Sequence, residues 1–119
     1  MIITRQMILM TDLNGHSTLF GGQLMAWCDL AASMYCGQYM GKCVTVKADA
    51  IEFKVPGHLR DILTFHVEET KRGRTSMTVK VTVIKNETSD NIEMASSSFT
   101  FVGVDDNGKA SSDWNKQSL

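Results

Sequence analysis

Proline occurs once in this 119-residue chain, at Pro56, and cysteine only three times, at Cys28, Cys36 and Cys43. An odd cysteine count with no CxxC pair and no zinc-type Cys/His spacing argues against a disulfide framework and against structural zinc. It fits a reducing compartment, so a cytoplasmic location is expected. Charge of one sign is also missing. Twelve basic residues against thirteen acidic ones leave a formal charge of -1, which suits neither a general nucleic-acid binder nor a polybasic membrane anchor. No uninterrupted apolar span is present. The most apolar stretch, 19–41, contains Gly21, Gly22, Gln23, Asp29, Gly37 and Gln38. An aspartate near the centre of a bilayer helix costs roughly 2.5–3.5 kcal/mol on insertion scales. Residues 1–6 lack the basic-then-apolar layout of a secretory leader. There is no Gly-x-Ser-x-Gly elbow, no Walker-type phosphate loop, no internal repeat and no low-complexity segment.

What is present is ordinary for a globular domain: 43% hydrophobic and 21% charged residues. A chain of this size buries roughly two-thirds of its unfolded surface and supports one core. The pattern predicts a strand at 2–10, a polar loop at 11–18 and one helix at 22–40. Period-two alternation follows from Val44, changes phase near Ala50-Ile51, and stops at Pro56-Gly57. Strands are predicted at 62–70, 75–85 and 92–104, joined by turns at 71–74 and 86–91. Residues 1–104 are read as one domain and 105–119 as a polar, loose tail. Short links between strands and one long helix indicate an α+β fold with an antiparallel sheet.

The helix has almost no polar face, since Asp29 is the only charged residue from 19 to 41. It is expected to be enclosed by the sheet and a second subunit. An ionised carboxylate in such surroundings is costly unless paired, and a carboxylate kept there suits a general base. Gly21-Gly22 at the helix start lets a ligand approach backbone amides that have no intrahelical acceptor; tight packing against the sheet is the plainer reading. Asn14 and His16 lie just upstream and could orient water or a carbonyl, or serve only the loop. His58 and His66 have no spaced partners and are read as ordinary residues. Cys28 and Cys36, within the apolar helix, are read as packing. Lys71, Arg72 and Arg74 form the densest basic patch, which either solvates a turn or meets phosphates.

The block Asp12-Leu13-Asn14-Gly15-His16-Ser17-Thr18-Leu19-Phe20-Gly21-Gly22, continuing into a helix that carries Asp29, resembles the acyl-CoA thioesterases of the hotdog superfamily, in the branch of bacterial and cytosolic long-chain acyl-CoA hydrolases. Val44-Thr45-Val46, Phe53-Lys54-Val55-Pro56, Gly73-Arg74-Thr75-Ser76-Met77 and Phe99-Thr100-Phe101-Val102 extend the resemblance over residues 5–108. It implies a hotdog fold, in which a five- to six-stranded antiparallel sheet wraps one long central helix. It implies homodimers with sites at the subunit interface, assembling to tetramers or hexamers. By position, Asp29 matches the catalytic carboxylate, acting as base or nucleophile, and Asn14 its partner from the opposite subunit. Gly22 matches the helix-start amide that polarises the thioester carbonyl, with Gly21 and Phe20 beside the substrate. Ser76 and Thr75 match a polar pair close to the site.

The implied reaction is hydrolysis of acyl-CoA to fatty acid and CoA, with no metal and no cofactor beyond the CoA of the substrate. The acyl chain would follow Met25, Trp27 and Met34, and the CoA phosphates would meet Lys71, Arg72 or Arg74. Alternatives are hydrolysis of acyl-carrier-protein thioesters, a dehydratase, and a non-catalytic acyl-CoA-binding module. Dehydratases use an Asp/His pair, and no histidine lies on this helix. The chain departs from the family at two places. Ser17 stands where glycine is usual, so a shifted loop is expected there. Arg60-Asp61 replaces Gly-Asp, which implies an altered site rim or an added phosphate contact.

Overall fold

The structure, a computed structural model, describes residues 1–86 and 92–116. Most of the turn expected at 86–91 therefore lies outside the described residues. In chain order the elements are β1 (Ile2–Met7), a 3-10 turn (Met10–Asp12), α1 (Gly21–Met40), β2 (Cys43–Ala48), β3 (Glu52–Phe53), β4 (Ile62–Arg72), β5 (Ser76–Lys85), β6 (Ile92–Gly103) and a second 3-10 turn (Asp113–Lys116). The sheet runs β1-β4-β5-β6-β2, with β3 also on β6, and every pairing is antiparallel. One helix packed against such a sheet is the hotdog architecture implied by the sequence resemblance. Among the described residues no helix is long and apolar enough to cross a membrane.

Two strand predictions change in detail. The first strand stops at Met7, because the Asp12 carboxylate accepts the Leu9 amide at 2.8 Å and pulls the chain into a turn. The strand predicted to bend near Ala50 divides into β2 and β3, both paired with β6. Between them the Asp49 amide bonds the Ser98 carbonyl at 2.9 Å, and the Ser97 hydroxyl donates to the Asp49 carbonyl at 2.8 Å.

α1 buries Leu24, Cys28, Ala31, Ala32, Cys36 and Met40, the three-and-four spacing of one helical stripe. The two alanines let the helix axis come close to the sheet. Beneath lie Phe65, Val67, Val79, Val81, Val83, Phe99 and Phe101, all essentially inaccessible, each large side chain contributing about 1.5–3 kcal/mol on burial. Burial pushes the Cys28 and Cys36 thiols up to about 12, Asp29 adding to the effect at Cys28 and Cys43 and Glu69 at Cys36. Both remain protonated and unreactive at neutral pH. The helix ends at Gly41, which takes φ 66° and closes on the Gly37 carbonyl at 3.0 Å.

One chain does not enclose the helix on nearly all sides. Leu30 and Met34 are 45% and 42% exposed, and Val44 and Val46 stand open on the edge strand β2. The tail is not loose where it is described. Val104 pairs with Ala110, and Trp114 is buried against the sheet end.

Ser17 and Arg60, the two family departures, both adopt left-handed backbone, at φ 61° and 72°. The serine thus holds the conformation that glycine adopts most readily, instead of relaxing into another. The Ser17 loop is closed by the Asn14 amide on the Thr18 carbonyl at 2.8 Å and the Ser17 amide on the Asn14 carbonyl at 3.1 Å, and Arg60 by its amide on the Ile8 carbonyl at 2.8 Å. Arg60 is exposed beside the end of β1.

Candidate active site

The start of α1 has no side-chain cap. Phe20 is the N-cap residue, with extended backbone; its amide goes back to the Asp12 carbonyl at 2.8 Å, and its carbonyl accepts from Gln23 and Leu24 at 3.1 and 3.2 Å. Among the described residues no acceptor is present for the amides of Gly21 and Gly22, which leaves two donors at the positive end of the helix dipole. Two aromatic rings flank them. A Cβ added to Gly21 would meet Phe53 Cζ at 3.4 Å, and one on Gly22 would meet Phe20 Cε2 at 2.6 Å. Both rings are more than half exposed, so the bare amides sit between two accessible apolar faces. Phe53, on the two-residue strand β3, entered the sequence reading as part of a strand match and not as a site residue.

Asp29 lies two helical turns further on and is half-buried. Its Oδ1 accepts the Thr45 hydroxyl from β2 at 3.0 Å. Among the described residues no cation pairs with it. Thr45 is the functional candidate that sequence reasoning missed. Its signals were a lone hydroxyl between Val44 and Val46 and the place of that triplet in the family resemblance, which was read as a strand match and not as a site.

Asn14 organises its own loop. Its Oδ1 accepts the His16 amide at 2.8 Å and the Thr18 amide at 3.2 Å, and its Nδ2 donates to the Thr18 hydroxyl at 3.0 Å. Among the described residues it makes no hydrogen bond to Asp29. His16 is exposed and adds no side-chain bond among the described residues.

The remaining predicted residues lie at the far end of the molecule. The β4–β5 turn is closed by the Gly73 amide on the Ser76 carbonyl at 3.0 Å. Ser76 pairs with Val102 of β6, whereas Phe53, beside Gly21, pairs with Ala95 of the same strand. Seven strand residues separate these points, ~23 Å at the rise of an extended chain. Gly21, Gly22 and Phe20 thus stand at one end, and Lys71, Arg72, Arg74, Thr75 and Ser76 at the other. Ser76 alternates with buried Met77, so its side chain leaves the helix-covered face and turns toward Gly73. Arg72 is already engaged by the Glu69 carboxylate through two 2.7 Å bonds, which push its pKa further above its ordinary value. Lys71 and Arg74 are exposed, and no carboxylate pairs with them among the described residues. No group of three or more potential metal-ligating side chains occurs among the described residues.

The model of the thioesterase superfamily matches residues 16–91. An uncharacterized acyl-CoA thioester hydrolase of Bacillus subtilis is 35% identical over 111 residues, covering 91% of this chain and 64% of the relative; the chain thus spans somewhat under two thirds of that protein. An acyl-CoA hydrolase of Staphylococcus aureus, solved with butyryl coenzyme A, coenzyme A and coenzyme A disulfide, is 33% identical with a TM-score of 0.84, over 90% of this chain and 67% of its own. The hexameric thioesterase y2039 of Yersinia pestis is 27% identical with a TM-score of 0.86, over 92% of both chains. The staphylococcal enzyme has also been solved with an aspartate, an asparagine or a threonine replaced by alanine. The interval between that asparagine and that aspartate equals the interval from Asn14 to Asp29.

Proposed function

The chain belongs to the thioesterase superfamily, and from that premise we propose that it hydrolyses fatty acyl-CoA to free fatty acid and CoA at a site shared by two copies of the chain. The observation that carries this reading is Asp29, a half-buried carboxylate that no cation pairs among the described residues, oriented by Thr45 of β2 and carried by the helix whose first two amides have no acceptor among the described residues.

The helix geometry supports a site divided between two copies. Gly22 and Asp29 are seven residues apart, ~10 Å along the axis, too far for one chain's pair to serve a single carbonyl. Gly22 and Asn14 of one copy therefore act with Asp29 of the other. The open apolar surface of Leu30, Met34, Val44 and Val46 is the surface a second copy covers. The same two-fold arrangement brings the β4–β5 hairpin of one protomer, with Thr75 and Ser76, toward the helix start of the other. Lys71 and Arg74 then receive the CoA phosphates, while Arg72 stays with Glu69. Hexamers of the kind formed by the Yersinia relative are a natural further assembly.

In the reaction, the Gly21 and Gly22 amides face the thioester oxygen and take up its negative charge as carbon becomes tetrahedral. The incoming oxygen is that of water, whose proton passes to Asp29, or that of the Asp29 carboxylate itself, whose acyl anhydride water then opens. Collapse breaks the C–S bond, and the CoA thiolate takes up the proton that the attacking water gives up. The acyl chain lies along Met25, Trp27 and Met34.

The test is release of free thiol from a panel of acyl-CoAs by the parent and by Asp29→Asn. Turnover by the parent with a loss of about 100-fold or more in the variant is expected for a positioned base. Tight acyl-CoA binding without turnover would instead identify a binding module, and full activity in Asp29→Asn would remove Asp29 from the chemistry.

A further inference from the structure

The segment after β6 doubles back onto the β4–β5 turn and is bonded to it through Trp114 and Asn115. Trp114 occupies the space above Gly103, where an added Cβ would lie 2.4 Å from its Cδ1. Its indole Nε1 donates to the Thr75 carbonyl at 3.3 Å. Asn115 Nδ2 donates to the Gly73 carbonyl at 3.0 Å and to the Arg74 carbonyl at 3.2 Å. Two adjacent side chains thus take three successive carbonyls of one turn. The Arg72 guanidinium lies 5.2 Å over the Trp114 ring while paired with Glu69. The charge of Arg72 is used inside the molecule, and Lys71 and Arg74 flank the clamp facing solvent.

We infer that Trp114 and Asn115 are positioning residues for CoA: they lock the Gly73–Ser76 turn so that Lys71 and Arg74 stand ready for the phosphates of the ligand. The identity of that ligand rests on the thioesterase reading above. A turn of this length that is free in solution must be ordered when a ligand arrives, and that ordering is taken out of the affinity. A turn whose carbonyls are already held contributes its cations without that loss. Long flexible cations gain most from such a frame, since two of them must meet one anionic group together.

The experiment compares the full chain with Trp114→Phe, which keeps a ring and loses the donor, and Asn115→Ala. Three quantities are measured: calorimetric affinity for free CoA, kinetics with an acyl-CoA, and kinetics with the N-acetylcysteamine thioester of the same acyl group, which carries no phosphate. The expected result is CoA bound about tenfold more weakly, the acyl-CoA KM raised by a similar factor, kcat unchanged, and the short thioester turned over as by the parent. Lys71→Gln with Arg74→Gln, both exposed, should reproduce the CoA defect without touching the clamp. Parent-like CoA affinity in either set overturns the inference. So does an equal loss with both thioesters, which marks a purely structural clamp. A parent that binds CoA but cleaves neither thioester defeats the hydrolase reading alone, and the calorimetry still decides on the clamp. A parent that does not bind CoA overturns it.

Discussion

Thr45 and Asp29 are joined across the boundary between the edge strand and the helix, the threonine hydroxyl donating to Oδ1 at 3.0 Å. The bond fixes one carboxylate oxygen and leaves the other available for a proton or a carbonyl carbon. A helix alone leaves an aspartate several rotamers; an anchored one spends more of its time in the productive geometry.

Thr45→Val should therefore lower kcat roughly tenfold, about 1.4 kcal/mol of barrier, with little change in KM. Thr45→Ser, which keeps the hydroxyl, should recover most of the rate. Steady-state kinetics with one acyl-CoA checks both. Equal rates in parent and Thr45→Val would show that the carboxylate needs no anchor.

The glycines of α1 should respond in opposite directions. Gly22→Ala places a methyl 2.6 Å from the Phe20 ring and must displace that ring beside the bare amides, so kcat is expected to fall by about 100-fold, the cost of disturbing an oxyanion donor. A Cβ at Gly37, in the helix interior, meets nothing within 4 Å. Gly37→Ala should stabilise the chain by ~0.5–1 kcal/mol, read from urea unfolding, because it removes only backbone freedom from the unfolded chain.

The sequence patterns that succeeded were local ones. The alternation Met77, Val79, Val81, Val83 buries one face of β5, so periodicity reveals it directly; the buried stripe Leu24, Cys28, Ala32, Cys36 does not stand out in a helix that is apolar nearly all round, and only its existence as a helix was legible. What escaped depends on contacts distant along the chain. Thr45 meets Asp29 sixteen residues away, and Trp114 meets Thr75 thirty-nine residues away; neither leaves a periodic trace. β3 has two residues and is specified by its pairing with β6, not by its own sequence. Nor could a linear reading show that Gly22 and Ser76 stand at opposite ends of the helix, since that separation is set by the register of β6 with its neighbours.

Ser17 and Arg60 supply a stability prediction. A residue with a side chain costs about 1–2 kcal/mol in left-handed backbone, while glycine there gives back roughly 0.5–1 kcal/mol through its freer unfolded chain. Ser17→Gly and Arg60→Gly should each raise stability by up to about 1 kcal/mol. The two sites lie in separate loops, so the double variant should show the sum. Thermal unfolding with the folded fluorescence of Trp27 and Trp114 as readout checks this. A lowered midpoint in Arg60→Gly would mean that the arginine side chain makes a contact worth more than the strain.

Asp61 gives the pH dependence of that stability. Partial burial works to raise its pKa, but the Asn86 amide at 3.0 Å, the His58 backbone amide at 2.9 Å and the Lys85 ammonium at 3.3 Å outweigh it and hold the carboxyl below its ordinary 3.8. A carboxyl depressed in the folded state binds its proton less readily than in the unfolded one, so its contribution is fully present above the unfolded value and disappears as pH falls through the folded one. Asp61→Asn should accordingly destabilise the chain most near neutral pH, by about 1 kcal/mol for this partly buried pair. The gap to the parent should close in acid below the ordinary carboxylate range. Urea midpoints across that range decide the matter: a gap that stays constant with pH would assign the effect to the lost acceptor geometry of the aspartate and not to its charge.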